Sequence, residues 1–475
     1  MVNTYLFLDD HWIAEKTEIT RRFHPVEKET GNPILLKQEG ERSVGPYSFT
    51  WGRKTSPYNA WLGSYNNERN KYPAFLTTSP DGLNWDPIRQ ETDALDIGDG
   101  NISGVSYLHD TGENYPGYPY LCMACFRKAP DYDRFHIRFR RSKDGVHWEK
   151  FNDDPVWGTP GDVLNIFWDE HKKRFAAYYK IYRIKGTTTD GKPYCAYCGS
   201  FKIDKNEKTC KITGYGRMED NWGPITDIGA ELIYGGDSSN DGGGVPTDEI
   251  LRTQRVIGYA DSADFLRWEN ERIIITPPDD APLGDQYYGL TVSQYHGLYI
   301  GLLQHFNSLN GLIKPILAWS YDGVNFKMNT DDFILREGGA GTWDAGMVFG
   351  QEFLDTGDGR MCLYYGSMGK KHIDSVDLAK GAVGRAWLRK DGFASLSGGR
   401  FTTRPLRVCS PRLSLNMKGR AGLTVKNENG EVLYSGEVRG DHVNITPPVD
   451  LAPYINHDVT LSFDLSDGEL FSASL

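Results

Sequence analysis

The sequence predicts an all-β chain: a five-bladed β-propeller over 1–398, followed by a small C-terminal β-sandwich over 399–475. Three observations carry that reading. Aromatic residues make up 13% of the chain, and 53 Gly and 24 Pro separate them, so β-favouring side chains alternate with turn formers. A hairpin pattern, Ser-x-Asp-x-x-x-Trp/Phe, recurs as SPDGLNW (from Ser79), SKDGVHW (from Ser142), SADFLRW (from Ser262) and SYDGVNF (from Ser320). Each copy follows a strand-like run, and Asp-Gly after a strand is a turn signal whose following aromatic packs back across the hairpin. Between these copies a second unit recurs: an aspartate, an apolar strand, a turn and another apolar strand. It reads GDGNISGVSYLHD…YPYLCMACF, GDVLNIFWDEHKKRFAAYYK, GDQYYGLTVSQYHGLYIGLLQHF and TWDAGMVFGQEFLDTGDGRMCLYYGS.

An earlier relative, GPYSFTWGRK…NAWLGSY, has the two strands without the acid, which brings the inner-strand pairs to five. Asp81 and Asp144 are 63 residues apart and Asp264 and Asp322 are 58 apart, a period typical of four-stranded propeller blades. Asp144 and Asp264 are 120 apart with one inner-strand pair between them, so an insertion over 184–250 is expected in blade three; a sixth blade is the alternative. TYLFLDD near the N-terminus is expected either to close the ring or to pack on its base. After Gly399, RAGLTVKNENGEVLYSGEV and VTLSFDLSDGELFSASL read as hairpins of the sandwich.

Composition excludes several classes. The net charge of −11 argues against nucleic acid and against an anionic membrane surface. No apolar run approaches a membrane span; the best, Tyr299 to Phe306, is broken by Gln304 and His305. MVNTYLFLDDHW has no basic start, so a cytoplasmic location is expected for the chain as written, or an extracellular or periplasmic one if a signal has been removed. Seven Cys are read as reduced thiols. Residues i and i+3 of a strand face opposite sides, so Cys122 and Cys125 do not suit one metal; Cys195, Cys198 and Cys210 are the better place for a zinc. No metal site and no cofactor are predicted, although clustered carboxylates in a central channel would suit Ca²⁺.

Residues at the starts of innermost strands surround the mouth of a propeller channel. That brings Asp99, Asp162, Asp285 and Asp344 together, with Glu41 (or Glu39) standing in for the acid that blade one lacks. Paired carboxylates are what glycoside hydrolysis needs: one protonates the leaving oxygen, the other acts as nucleophile or as base for a water. Neighbouring negative charge raises the pKa of the acid member. The competing reading of each Gly-Asp is turn chemistry, the carboxylate capping backbone N–H groups. Trp343, Tyr287, Gln286, Asn101, Asn165 and His305 are the candidate sugar contacts, whereas Tyr288, His24 and His136 read as structural. Phosphate-loop, zinc-protease and serine-hydrolase motifs are absent.

LFLDDHWI…RRFHPVEK…NPIL, SKDGVHW, SADFLRW, GDQYYGL, TWDAGMV and GRAWLRKDGFASL give the chain a resemblance to bacterial five-bladed propeller proteins similar to glycoside hydrolase families 32, 43 and 68. The resemblance covers nearly the whole chain and implies a furanosidase-like or fructosidase-like hydrolase with a carbohydrate substrate. By blade order it puts Asp99 at the stabiliser position and Asp162 at the acid position. The W-x-N-D-P-N-G, R-D-P and E-C stretches of family 32 are absent. Three rivals stand beside this reading: a non-catalytic carbohydrate-binding propeller, a sialidase-like enzyme, and phosphorylase or lyase chemistry. For a phosphorylase, Arg53, Lys54 and Arg385 are the basic residues to inspect; a sialidase would need an arginine trio where these strand starts carry acids.

Overall fold

A computed structural model of the chain describes residues 3–475 except 36–42, 52–57, 66–73, 88, 94–100, 111–114, 129–130, 153–155, 279, 282–283, 373–380 and most of 188–252, where only short strands are described. Among the described residues there is no α-helix, and no helix long and apolar enough to cross a membrane. The fold is an all-β propeller built of five four-stranded antiparallel units. Blade one is Ser43–Trp51, Tyr58–Tyr65, Ala74–Ser79 and Gln90–Thr92. Blade two is Asn101–Asp110, Tyr120–Lys128, Asp131–Ser142 and Trp148–Lys150. Blade three is Leu164–Asp169, Arg174–Thr187, Thr253–Ser262 and Glu269–Ile275. Blade four is Asp285–Tyr295, Leu298–Asn307, Leu312–Ser320 and Phe326–Met328. Blade five is Met347–Asp355, Arg360–Met368 and Gly381–Arg389, and its outer strand, Glu27–Lys28, comes from the N-terminal region.

TYLFLDD neither closes the ring nor simply rests on its base. Its strand Thr4–Leu6 pairs with Asp458–Ser474, in a nine-stranded sheet that also takes in Ile13–Thr17 and Thr20–Phe23. The two-residue period of an extended chain explains the placement. Tyr5 and Phe7 point into the C-terminal core with Phe401, Leu415 and Phe463. Leu6 and Leu8 point the other way, into the core of blades four and five with Leu363 and Phe393. Two buried carboxylates staple the same junction. Asp9 accepts from Trp319 Nε1 (2.9 Å), Tyr321 OH (2.9 Å), Lys327 Nζ (2.8 Å) and the amide of His11 (2.8 Å). Burial alone would raise its pKa, but these four donors hold it at about 2. Asp391 accepts from Tyr295 OH (2.5 Å) in blade four and Ser472 Oγ (2.8 Å) in the last strand.

The Ser-x-Asp repeats are hairpin turns with a second task between blades. In each copy the Asp carboxylate accepts backbone amides two and three positions ahead, as at Asp322, which takes Val324 N and Asn325 N at 2.8 Å each. The next residue is Gly82, Gly145 or Gly323, at φ of 72°, 79° and 73°. Only a residue without Cβ adopts that left-handed region freely. Its carbonyl is then held by a side chain from the neighbouring blade: Trp61 Nε1 donates to Gly145 O (2.9 Å), Tyr178 OH to Gly323 O (2.7 Å) and Tyr364 OH to Gly82 O. The last of these joins blade five to blade one. The third copy departs from this, with Phe265 at φ 69°. Its fully buried ring packs on Phe139 and Phe175, so aromatic packing between blades two and three takes the place of the polar staple.

Cys122 and Cys125 lie on one strand and face different blades. Cys122 packs with Trp61 and Ala74 of blade one, Cys125 with Ile166 and Phe175 of blade three. Burial pushes the Cys122 thiol up to about 12. Between blade three's second and third strands, Pro193–Cys198 pairs with the far end of Arg174–Thr187, extending that blade's sheet. The side chains of Cys195, Cys198 and Cys210 lie outside the described residues.

Candidate functional site

Three consecutive blades each bring an aspartate to the beginning of the innermost strand. Asp162 stands just before Leu164–Asp169. The amide of Gly161 donates to Lys180 O (2.9 Å) and that of Lys180 to Val163 O (2.7 Å). This pairing sets the Asp162 carboxylate directly against Lys180 Nζ in an ion pair. Asp285 opens its strand opposite Asn307, taking Asn307 Nδ2 at 3.2 Å with His305 Nε2 at 3.3 Å. Asp344 stands before Met347–Asp355 and takes Lys28 Nζ at 2.5 Å and Thr342 Oγ1 at 2.8 Å. Glu41 and Asp99 lie outside the described residues, as does the side chain of Asn101, the first residue of Asn101–Asp110.

Asp344 belongs to an aromatic corner. Trp343 stacks on Tyr365 with centroids 5.5 Å apart and planes at 23°, and Asn32 Nδ2 donates to Tyr365 OH at 3.2 Å. Burial and the Asp344 carboxylate both raise the Tyr365 phenol, so it stays protonated. The loop carrying Asp344 touches the end of blade five's second strand: Gly346 N donates to Met368 O at 3.2 Å, and a Cβ on Gly346 would collide with Lys370 O. Glycine is therefore required where the two loops cross.

From that crossing the chain reaches His372, whose amide donates to Gly311 O of blade four (2.8 Å). His372 Nε2 lies 3.1 Å from Tyr288 OH, and its ring lies 4.9 Å from that of Phe306. Two cations of blade three also approach the Tyr288 ring. Lys180 Nζ is 4.9 Å from the Tyr288 centroid and 5.1 Å from that of Tyr182. Arg255 Cζ is 5.3 Å from Tyr288 and 4.8 Å from Phe306. Arg255 also holds Gln286: its amide (3.1 Å) and Nη1 (2.8 Å) donate to Gln286 Oε1.

Electrostatics follow from this packing. Burial works to raise the Asp162 carboxyl, but Lys180, with a smaller contribution from Arg255, outweighs it and holds the group below the ordinary carboxylate range. Burial works against the Lys180 ammonium too, and Asp162 more than restores it, so both members are ionised. His372 is driven the other way. Burial, then the fields of Arg255 and Lys180, lower it to about 3, so it is a neutral imidazole at pH 7.

The remaining candidates are spread around this centre. Tyr287 is buried in the core between blades three and four, edge-on to His305. Asn165 Oδ1 accepts the amide of Val292 at 3.1 Å, tying blade three to blade four. Asn165, Thr291, Gln304, Gln351 and Tyr288 line a cavity of about 30 Å³ between the innermost strands, room for one or two waters. Arg385 is engaged away from these acids, with Glu29 and with Leu83 O (2.8 Å) of blade one. Among the described residues, no three acids, histidines or cysteines come together as a metal-binding set. Sequence reading missed Lys180, Arg255, His372, Lys28 and Tyr365. Lys180 had a signal, a charge set inside the apolar run FAAYYKIY.

No family model and no curated protein matches the chain. Among solved structures it is similar to a thermostable family-43 glycoside hydrolase, 13% identical over 77% of this chain and 95% of that one, with a TM-score of 0.43. It is similar to a member of the GH130 family of mannoside phosphorylases, which contains hydrolases that target β-1,2 mannosidic linkages in Candida mannan (13%, 78% and 94%, TM-score 0.43). A third is an N-acetylgalactosamine deacetylase from F. plautii in complex with blood group B trisaccharide (13%, 79% and 96%, TM-score 0.43). Family 43 is one of the three that the sequence resembles. At such identities and TM-scores the likeness assigns neither a family nor an activity.

Proposed function

We propose that this protein is a carbohydrate-active enzyme that hydrolyses glycosidic bonds at the mouth of its propeller. One observation carries the reading: Asp162, Asp285 and Asp344 stand at equivalent strand starts of three successive blades, and each is set against a side-chain cation or donor. Asp162, kept ionised and with 26% of its side chain accessible, suits the carboxylate role, as nucleophile, as base for a water or as stabiliser of an oxocarbenium-like transition state. The proton donor is then drawn from Asp285, Asp344, Asp99 or Glu41. Trp343 and His305, both half-buried beside these acids, are the sugar contacts of this reading. The narrower activity, furanosidase-like or fructosidase-like, rests on the sequence resemblance alone.

A second reading is favoured by the ion pairs themselves. Carboxylates already neutralised by Lys180 and Lys28 suit hydrogen bonding to sugar hydroxyls as well as they suit proton transfer. That is a binding propeller without turnover. The deciding experiment is product release from nitrophenyl furanosides and pyranosides and from plant and microbial polysaccharides, comparing the wild type with Asp162→Asn and Asp285→Asn. Release that either change abolishes supports the hydrolase; glycan binding with no release across the panel supports the second reading.

A further inference from the structure

Around Tyr288 the charges do not balance. Lys180 and Arg255 are both almost fully buried, at 1% and 3% exposure, and the carboxylate set against them among the described residues is Asp162. Among the described residues, that leaves one positive charge over at the two buried cations. His372, beside them, adds no negative charge, and among the described residues neither its Nδ1 nor Arg255 Nε has a hydrogen-bond partner. A buried donor left unpaired and a buried charge left in excess are both unfavourable, and a bound counter-charge relieves both. The rings of Tyr182, Tyr288 and Phe306 enclose these groups in a low-dielectric wall, where each charge acts more strongly than in water. Asp162, with a quarter of its side chain accessible, is the open side of the cluster.

We propose that Lys180, Arg255 and His372 form an oxyanion subsite next to Asp162, and that the sugar taken at this mouth carries a carboxylate, as a uronic acid residue does. The class follows from the count. The single positive charge in excess among the described residues is neutralised by a monovalent carboxylate, whereas a phosphate, with charge between −1 and −2 at neutral pH, overfills it. A planar carboxylate also matches a guanidinium fork better than a point cation does. This inference rests on the reading that the mouth takes a sugar.

The test runs the glycoside panel in matched pairs, each nitrophenyl uronide against its neutral hexoside, with and without inorganic phosphate. The expected result is a kcat/KM at least about tenfold higher for a uronide than for its hexoside, reduced in Arg255→Met and largely kept in Arg255→Lys. Neutral hexosides cleaved as well as the uronides overturn the inference and leave the glycosidase reading standing. Cleavage that requires phosphate overturns it too, because the anion is then a free co-substrate. Should nothing be cleaved, calorimetric titration of the wild type with glucuronate and galacturonate against glucose and galactose decides: preference for the acids supports the subsite, equal or absent binding overturns it. The titration needs no variant, so a folding defect at Arg255 does not obscure the result.

Discussion

The blades of this protein use aspartate in two places, the Ser-x-Asp hairpin and the start of the innermost strand, and the two uses are opposite. In the Ser-x-Asp hairpins, the carboxylates of Asp81, Asp144, Asp264 and Asp322 accept backbone amides two and three residues ahead. All four also take the serine hydroxyl of the same turn, and Asp81, Asp144 and Asp322 a second side chain from it. Those partners are local and bring no charge from another blade. At the strand starts, Asp162 faces a lysine from the next strand and Asp344 a lysine 316 residues away. A carboxylate satisfied by its own turn is cheap to build and does no work elsewhere. One satisfied by a distant cation leaves the cation uncompensated when its charge is removed. The difference separates turn chemistry from a candidate site although both are written Gly, Asp and an aromatic.

Four measurements break or sharpen this contrast. The largest stability effect is expected within the hairpins, from their apolar member: Phe265→Ala should cost about 3–5 kcal/mol, because the ring is fully buried between two blades. Alanine keeps the Cβ, so the left-handed φ of this position is not relieved and offsets none of that. A loss under 1 kcal/mol in urea denaturation would mean that blades two and three do not depend on this ring. Next comes Asp162→Asn, which leaves Lys180 buried without its counter-charge. About 2–3 kcal/mol should be lost, below the range for a fully buried pair because Asp162 is a quarter exposed.

The third is a pH effect at His372. Its folded imidazole stays neutral down to about 3, whereas the unfolded one takes a proton near 6.5. Unfolding therefore binds a proton between those values. Stability is full above 6.5 and falls as the pH drops through the window, by about 2–3 kcal/mol at pH 4.5. Comparing His372→Gln with wild type at pH 7.5 and 4.5 isolates it: the variant should lose that much less on acidification, and equal losses would contradict the burial of this group. The smallest effect is expected from Asp322→Asn, under about 1 kcal/mol, since an amide oxygen still accepts the two turn amides. Should Asp322→Asn cost more than Asp162→Asn, the contrast itself fails.

What could be read in the sequence was whatever the chain settles locally. The hairpins were legible because Asp-Gly and an aromatic close a turn within seven residues. The inner-strand pairs were legible because apolar runs of fixed spacing have few other uses. The strand-start acids could be named, but their partners could not: Lys28 reaches Asp344 from the far end of the chain, and His372 reaches Tyr288 across 84 residues. Arg255 and His372 carry no local mark at all. The placement of TYLFLDD was illegible for a related reason, since alternation of Tyr5 and Phe7 with Leu6 and Leu8 fits any sheet covered on both sides. A degenerate fifth hairpin, Lys390-Asp391-Gly392-Phe393, stood in the sequence, and Asp391 there holds Tyr295 and Ser472.

The pairing of Thr4–Leu6 with Asp458–Ser474 also dictates an order of events during synthesis. Thr4–Leu6 is made before the five blades and its partner strand after them, so it leaves the ribosome unpaired and waits while the blades are made. Closing such distant pairs is slow, since loop entropy is lost before the contacts form. Until then Tyr5 and Phe7 are exposed apolar groups beside an unpaired edge, the kind of surface that chaperones bind and that aggregates when they do not.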